Sequence, residues 1–518
     1  MRLADYFDAA ATRYADRVAF VDSHTHVRFD KAQQFVHAVA HALRHERGLD
    51  EGAHIAIYAP NDYRITLLQI AVNRADMAWV SVHTRNAVQA NIATLSYADS
   101  RLIFFHSAYE SAALEFRAAL REDCVFVCID KPSTCAVFLE DWIAPYLFER
   151  FDAAAERRNV TAMLQVTGGT TGPSKAAVHT NSSLEMGLIS TFDMLSLDEN
   201  CRVLAAAPLT HAAGLVSLAT AIRGGTTVVL PSFETRTVLA TIAEQRITHM
   251  FLPPTVLYML LGEPDLESYD LSSLCCLAVG GAPVAPEKLK ETVRRIGPVV
   301  YEVFGQSECL VPLIVKRPQD YLHADGSFNH EVLRSAGRSV PYARVEIMDE
   351  KGNFVAPGVK GEIVVRSTMV MDGYYKLPEE TREVSNFGWH HTTDIGVRDE
   401  RGFVTIIDRR KDMIVSGGFN IFPAEIEAVL NSHSAVLDCA VIGVPDEKWG
   451  EAVKAVVQLK PGHSVEPEQL MALCKSQLGR LKTPKSVEFW PQLPRSAVGK
   501  LLKREIRSKY WKGNWRQV

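Results

Sequence analysis

Between residues 53 and 304 short apolar runs alternate with amphipathic stretches. The runs are HIAIYAP at 54–60, RLIFFH at 101–106, CVFVCID at 124–130, TAMLQVT at 161–167, VLAAAPL at 203–209, TTVVLP at 226–231, HMFLPP at 249–254 and CLAVGG at 276–281. Several end in Pro, Gly or Thr. Strand, turn and helix in alternation predict an α/β architecture with largely parallel, helix-covered sheets. Ligands in such sheets bind outside the carboxyl ends of the strands.

The texture changes after Ser335. ARVEIMDEKGNFV at 343–355, KGEIVVRS at 360–367 and FVTIIDRR at 403–410 read as hairpin strands with turns at Gly352 and Gly361, an antiparallel barrel or sheet. From Asp412 a smaller unit begins: a Gly-rich loop, a helix from Pro423, then VLDCAVIGVP and AVKAVVQLK as strands, and a basic tail. The boundary falls near Lys411, giving a large domain over 1–410 and a small α+β domain over 411–518.

Size fits this division. A chain of 518 residues is too long for one hydrophobic core. Hydrophobic residues make up 47% and charged residues 23%, an ordinary globular balance, and the net charge of −5 comes with no basic stripe for nucleic acid. The first residues, MRLADYFDAAATRYADR, carry acids early and lack the apolar segment of a signal peptide. The longest apolar stretch, 209–222, is short for a membrane span and contains Thr210, His211 and Ser217. A cytoplasmic protein is expected. The nine cysteines lack metal-ligand spacing and read as reduced thiols, with Cys124 and Cys128 in the core. His37, His41 and His45 share a helix face without the HExxH glutamate, a packed or solvated face rather than a metal site. His24 and His26 carry no assignment. His179 reads as a packing or capping residue, with a place bordering a ligand as the alternative.

The run before TGGTTGPSK, at 167–175, is a strand that opens into a loop of three glycines, three threonines and a lysine. Successive backbone N–H groups in such a loop form a nest for an anion. It is neither the common P-loop, since Pro173 follows Gly172, nor GxGxxG; taken alone it reads equally as a flexible turn. The segment resembles the TSGTTGxPKG phosphate loop of the adenylate-forming superfamily: acyl-CoA synthetases, peptide-synthetase adenylation domains and luciferases. Gly168 replaces the usual Ser, and Pro173-Ser174 inverts the usual order. One hydroxyl contact is lost, while the backbone donors remain.

Further matches follow in family order. PLTHAAG at 208–214 is similar to the segment bordering the acyl pocket, which puts His211 there. GGAP at 280–283 resembles the loop along adenine. FGQSE at 304–308 resembles the YGxTE motif, which implies Phe304 beside adenine, Ser307 on the α-phosphate and Glu308 on Mg²⁺, a hard cation suited to oxygen ligands. WHHTTDIG at 389–396 resembles WxxTGD, with Asp394 on the ribose hydroxyls and Thr393 in place of Gly. DRRKDMIVSGGFNIFPAEIE at 408–427 is the closest long match: Arg409 on ribose, Lys411 as hinge, Gly417 and Gly418 along the thiol's path. PRSAVGK at 494–500 resembles the signature that carries a catalytic lysine, here Lys500. Out of context Glu308 and Lys500 are surface charges.

The resemblance, most like a bacterial acyl-CoA synthetase, implies a catalytic group of Thr171, Lys175, Ser307, Glu308 and Lys500. It implies nucleotide contacts at Thr167, Gly168, Gly169, Thr170, Thr171, Gly172, Lys175, Gly280, Gly281, Ala282, Phe304, Gly305, Ser307, Asp394, Arg409 and Lys500. The acyl wall implied is His211, Leu215, Leu252, Gly280, Gly305 and Leu310. It is mostly apolar, with no Arg or Lys for a second carboxylate and no Asp for an amino group. The expected activity is ATP-dependent ligation of an apolar acid, fatty, aromatic or alicyclic, to coenzyme A through an acyl-AMP, with Mg²⁺ as cofactor. An adenylation enzyme loading a carrier protein shares every motif, although no fused carrier domain is expected beyond Lys500. An inactive nucleotide-binding homologue and a light-emitting oxidase are the other readings. Which acid is used, and whether the chain is a homo-oligomer, stay open.

Overall fold

The computed structural model describes residues 1–23, 25–152, 159–167, 175–417, 419–446, 448–495 and 501–511. They fall into two compact units: the described residues of 1–167, 174–344 and 366–383, and those of 345–365 and 384–518.

The first unit holds two sheets. One runs in the order Val137–Phe138, Val125–Cys128, Ser100–Phe105, His54–Tyr58, Ala78–Ser81, Thr161–Val166, Ala176–Thr180 and Gly373–Tyr374. Its first six strands are mutually parallel and its last two pairings antiparallel. The other contains six parallel strands, ordered Val18–Val21, Thr226–Val229, Arg202–Ala205, His249–Leu252, Cys276–Gly280 and Val300–Gln306. Beyond the last lie two antiparallel strands, Cys309–Lys316 and Gly337–Ser339.

These strands are near-continuous apolar runs because helices cover both faces. Cys276–Gly280 is buried at every position. The apolar stretch at 209–222 supplies the helix Ala212–Arg223, whose residues from Ala213 to Ile222 are all buried. It ends at Gly224, φ +83°, where a Cβ would sit 2.3 Å from the Tyr14 ring. Burial within the unit accounts for its composition, and no helix among the described residues is long and apolar enough to cross a membrane. Helix Phe29–His45 carries the three histidines. His41 stacks on Tyr146 and meets Phe151 edge-on, and His37 Nδ1 accepts from the Phe151 N–H, so the face packs the chain at 144–151. Cys124 and Cys128 are buried, as expected.

In the second unit, Arg344–Met348, Gly361–Arg366, His390–Arg398 and Phe403–Arg409 lie side by side. The turn expected at Gly352 is present, at φ +87°. The one expected at Gly361 is not: Gly361 opens a strand and pairs with Gly396, and the chain reverses earlier, through Gly358 at φ +81°. A glycine wanted in a strand for close approach (a Cβ here would meet Met348 O at 2.5 Å) reads in sequence like a turn glycine. Downstream, strands Phe419–Ile421, Ile414–Ser416, Gly450–Leu459 and Val436–Asp446 form a mainly antiparallel sheet, with Ser486–Phe489 along Gly450–Leu459. Helices Pro423–Asn431 and Pro467–Leu478 close its core around Ile426, Leu430, Val441, Val453 and Leu470. The fold class is thus the α/β arrangement of large sheets with a small C-terminal α+β part.

Candidate active site

Thr161–Val166 and Ala176–Thr180 pair antiparallel up to Val166 and Ala176. Beyond them Thr167 N–H donates to Lys175 O at 2.7 Å, and Lys175 N–H donates to Thr167 Oγ1 at 3.2 Å. The phosphate-type loop is therefore clasped at its neck. Gly168, Gly169, Thr170, Thr171 and Gly172 lie outside the described residues.

The FGQSE segment forms a hairpin. Gln306 and Cys309 pair, which leaves Ser307 and Glu308 as the two residues of the turn. Three groups hold this turn. His179 Nε2 donates to Ser307 O at 2.7 Å, Met371 N–H donates to Glu308 O at 2.8 Å, and the Tyr374 hydroxyl donates to Glu308 Oε1 at 2.7 Å. The segment supplying the last two is itself fixed, since Asp372 N–H donates to Val178 O, Tyr375 N–H to Ala176 O and Leu310 N–H to Met369 O. Lys175 Nζ lies 4.7 Å from the centre of the Tyr374 ring. Burial, then the charge and hydrogen bond of Glu308, push the Tyr374 phenol above its ordinary range, so it stays a donor.

The parallel pairing of three strands ends at Leu252, Gly280 and Val303, with Phe304 and Gly305 following directly. Gly280 is followed by Gly281, at φ +88°, and Ala282. The turn is held by Glu302, whose Oε1 accepts from Val284 N–H at 3.0 Å. Glu302 pairs with Lys316, which is 0% exposed and donates to Leu333 O at 2.9 Å and Ser335 O at 2.7 Å. A buried charge pair with its remaining donors satisfied is tolerable, whereas either member alone is costly.

Of the residues expected in the acyl wall, His211 stands at the N-cap position of helix Ala212–Arg223 and Leu215 lies one turn on. Leu252 is wholly buried among core residues, and Leu310 packs where a Cβ on Gly187 would stand. His211 meets His83 edge-to-face at 5.0 Å between ring centres. Asn61 holds the chain before it, donating to Ala207 O at 2.9 Å and accepting from Leu209 N–H at 3.0 Å.

In the second unit Asp394 and Arg409 are cross-strand partners, with Arg409 Nε 3.5 Å from Asp394 Oδ1. Asp394 is buried. A register shift between Glu362 and Val364 marks a bulge opposite Thr392–Asp394. Thr393 takes φ +62°, the left-handed region that glycine enters freely, and its N–H donates to Glu362 Oε1 at 3.0 Å. Thr393 thus retains a glycine-type backbone. Lys411 sits in the short 3₁₀ turn Arg410–Asp412, its carbonyl accepting from Arg507 at 3.3 Å. Gly417 is exposed at φ +59°, where a Cβ would stand 2.6 Å from the Trp449 ring. Gly418 and Lys500 lie outside the described residues.

Residues 7–375 match the model of the AMP-binding enzyme family, and 425–500 match that of the AMP-binding enzyme C-terminal domain. The chain belongs to the AMP-binding enzyme family. A medium/long-chain-fatty-acid–CoA ligase of Mycobacterium tuberculosis is 40% identical over 68% of this chain, a match that spans 62% of that protein. An indoleacetate–CoA ligase of Aromatoleum aromaticum is 31% identical over 98% of both chains. Among solved structures, the amide bond synthetase of Marinactinospora thermotolerans superposes with a TM-score of 0.88 at 30% identity, over 98% of this chain and 100% of that one.

Several contacts of the expected site residues escape sequence reading. Tyr374, Asn61 and His83 lie far along the chain from Glu308, Leu209 and His211, which they touch, and Glu302, which holds Val284 just past the 280–283 segment, sits in no motif. His179 reads in sequence as a capping or packing residue, and its place just past the 167–175 loop is the one available signal of its role at the Ser307 turn.

Proposed function

We propose that this AMP-binding enzyme is an acid–thiol ligase. It joins an apolar carboxylic acid to AMP and passes the acyl group to coenzyme A. A carboxylate oxygen attacks the α-phosphorus of ATP, the bond to the β-phosphate breaks, and pyrophosphate leaves. The thiol sulfur then attacks the acyl carbon, and the C–O bond to AMP breaks. The observation that carries this reading is the bracket in which strand Ala176–Thr180 and the segment 369–375 hold both the clasped neck with Lys175 and the turn Ser307–Glu308.

The first step brings an anion to a polyanion, so positive charge has to stand ready where charge develops. Lys175, the amides of the 167–175 loop and Lys500 are assigned that role, with Ser307 donating to the α-phosphate. Asp394 and Arg409 hold ribose; Gly280, Gly281, Ala282 and Phe304 flank adenine. Glu308 fits a magnesium site. Its Oε1 is fixed by Tyr374, and among the described residues Oε2 takes no hydrogen bond. Mg²⁺ commonly uses one or two carboxylates and draws its other oxygens from phosphate and water. Bound there, the ion would neutralise phosphate charge. For the second step the part after Lys411 turns about that residue, withdrawing Lys500 and bringing the Gly417–Gly418 face to the carbonyl. The proposed mobile domain is 411–518.

The acid is apolar: His211, Leu215, Leu252 and Leu310 offer no charge to a second polar group, and the named relatives act on fatty and indoleacetic acids. A panel of fatty, aromatic and alicyclic acids tests this, read by pyrophosphate release and by product mass with coenzyme A, a phosphopantetheinyl carrier protein, or an amine as acceptor. Thioester on coenzyme A is expected. An amide product, as the name of the superposed synthetase suggests for that protein, or thioester on the carrier alone, would replace this reading.

A further inference from the structure

The turn bearing Glu308 already has two main-chain anchors, His179 on Ser307 O and Met371 on Glu308 O. Tyr374 adds nothing that the turn's backbone needs. What it fixes are two charged side chains, one at its hydroxyl and one over its ring. Its hydroxyl donates to Glu308 Oε1 at 2.7 Å, and Lys175 Nζ lies 4.7 Å from its ring centre. Glu308 and Lys175 carry opposite charges on flexible stems. Left together, they would collapse onto each other as an ion pair and neutralise what each is to offer a ligand. Among the described residues they make no such pair; each is held by the tyrosine instead. A phenol suits this task, because its O–H selects one carboxylate oxygen while the ring face attracts a cation.

We propose that Tyr374 is a positioning residue of the triphosphate site, spacing the metal-binding carboxylate of Glu308 from the loop cation Lys175 and leaving Oε2 of Glu308 for the ion. This rests on the reading of Glu308 as the magnesium carboxylate. Groups that orient a metal ligand through its other atom commonly set metal affinity by 10- to 100-fold. The main chain of Tyr374 is held by strand pairing to Ala177 and by its own N–H on Thr381 Oγ1, so the backbone that carries the ring does not depend on the hydroxyl.

The test uses the full chain with ATP and Mn²⁺ as the metal probe, free Mn²⁺ being followed by electron paramagnetic resonance. ATP binding without divalent ion is followed by calorimetry, and thermal unfolding confirms that each variant is folded. Tyr374→Phe should weaken Mn²⁺ in the ternary complex by about tenfold or more and leave metal-free ATP affinity within about twofold, since the ring under Lys175 remains. Tyr374→Leu should weaken both. Glu308→Gln serves as the reference. If Glu308→Gln binds Mn²⁺ as the parent does, the magnesium reading of Glu308 fails, and this inference with it. If Glu308→Gln loses Mn²⁺ while Tyr374→Phe and Tyr374→Leu keep it, Tyr374 is only a packing residue and the inference alone is overturned.

Discussion

Thr393 stands where the family pattern has glycine, and it occupies a glycine conformation. A β-branched residue at φ +62° carries roughly 1–2 kcal/mol of strain, here held by hydrogen bonds of its own N–H to Glu362 and of the Thr392 hydroxyl to Ile363 O. Thr393→Gly should therefore raise stability by up to about 1 kcal/mol, the relieved strain exceeding the added unfolded-state freedom; a midpoint unchanged in urea would show the site to be unstrained. His83 offers a second test. Burial, helped by the Arg85 charge, pulls its imidazole down from 6.5 to about 4. Above pH 6.5 both folded and unfolded forms are neutral. Between 6.5 and 4 only the unfolded chain takes the proton, so stability falls as pH falls, by up to about 3 kcal/mol from this group, and below 4 the loss is complete. Since the Arg85 N–H donates to His83 Nδ1, Gln can take over that acceptor. His83→Gln should show a flatter stability profile across that window, measured by urea unfolding at each pH.

The hairpin Val300–Gln306 and Cys309–Lys316 is the element on which the site turns, because its tip carries Ser307 and Glu308. Its close packing leaves little slack: a Cβ on Gly305 would stand 2.4 Å from Val311 Cγ1 and 3.0 Å from its Cα. Gly305→Ala forces the two strands apart, with an expected cost of about 1–3 kcal/mol and a loss of ATP affinity as the tip shifts. Unfolding and calorimetric titration of one preparation check both effects; retained affinity with reduced stability would mean that the tip is held by its outer anchors alone. The helix Pro423–Asn431 is fixed differently. Asp408 Oδ2 accepts from Ala424 N–H at 2.8 Å, and burial pushes the Asp408 carboxyl up. Nearby, Lys503 is held protonated against its burial by Glu427 and Asp408.

The order of the two half-reactions, proposed to need movement about Lys411, belongs to the molecule as a whole. Lys500→Ala should cripple adenylate formation, by roughly 10²-fold or more if its charge acts in the transition state as an oxyanion-hole donor does. It should largely spare thioester formation from pre-made acyl-AMP. Separate assays of the two half-reactions decide this, and an equal loss in both would take Lys500 out of its assigned role. The helix Ala212–Arg223, buried without a break from Ala213 to Ile222, shows the same dependence on scale: its mostly apolar composition makes sense only inside a layered unit large enough to bury a helix on all sides.

The α/β class, the main strand runs and the family to which the chain belongs could be read along the chain, because apolar runs and glycine-rich loops are local in sequence. Gly361 shows where local reading fails. A glycine needed for close packing inside a strand carries the same letter as one in a turn, and only the neighbouring strand tells them apart. Tertiary structure alone decided that Tyr374 reaches Glu308 and Lys175, that Glu302 supports the loop after Gly280, and that Thr393 keeps a left-handed backbone. Each depends on segments remote in sequence meeting across a sheet, where burial raises the strength of a hydrogen bond or charge contact that the unfolded chain has no means of forming.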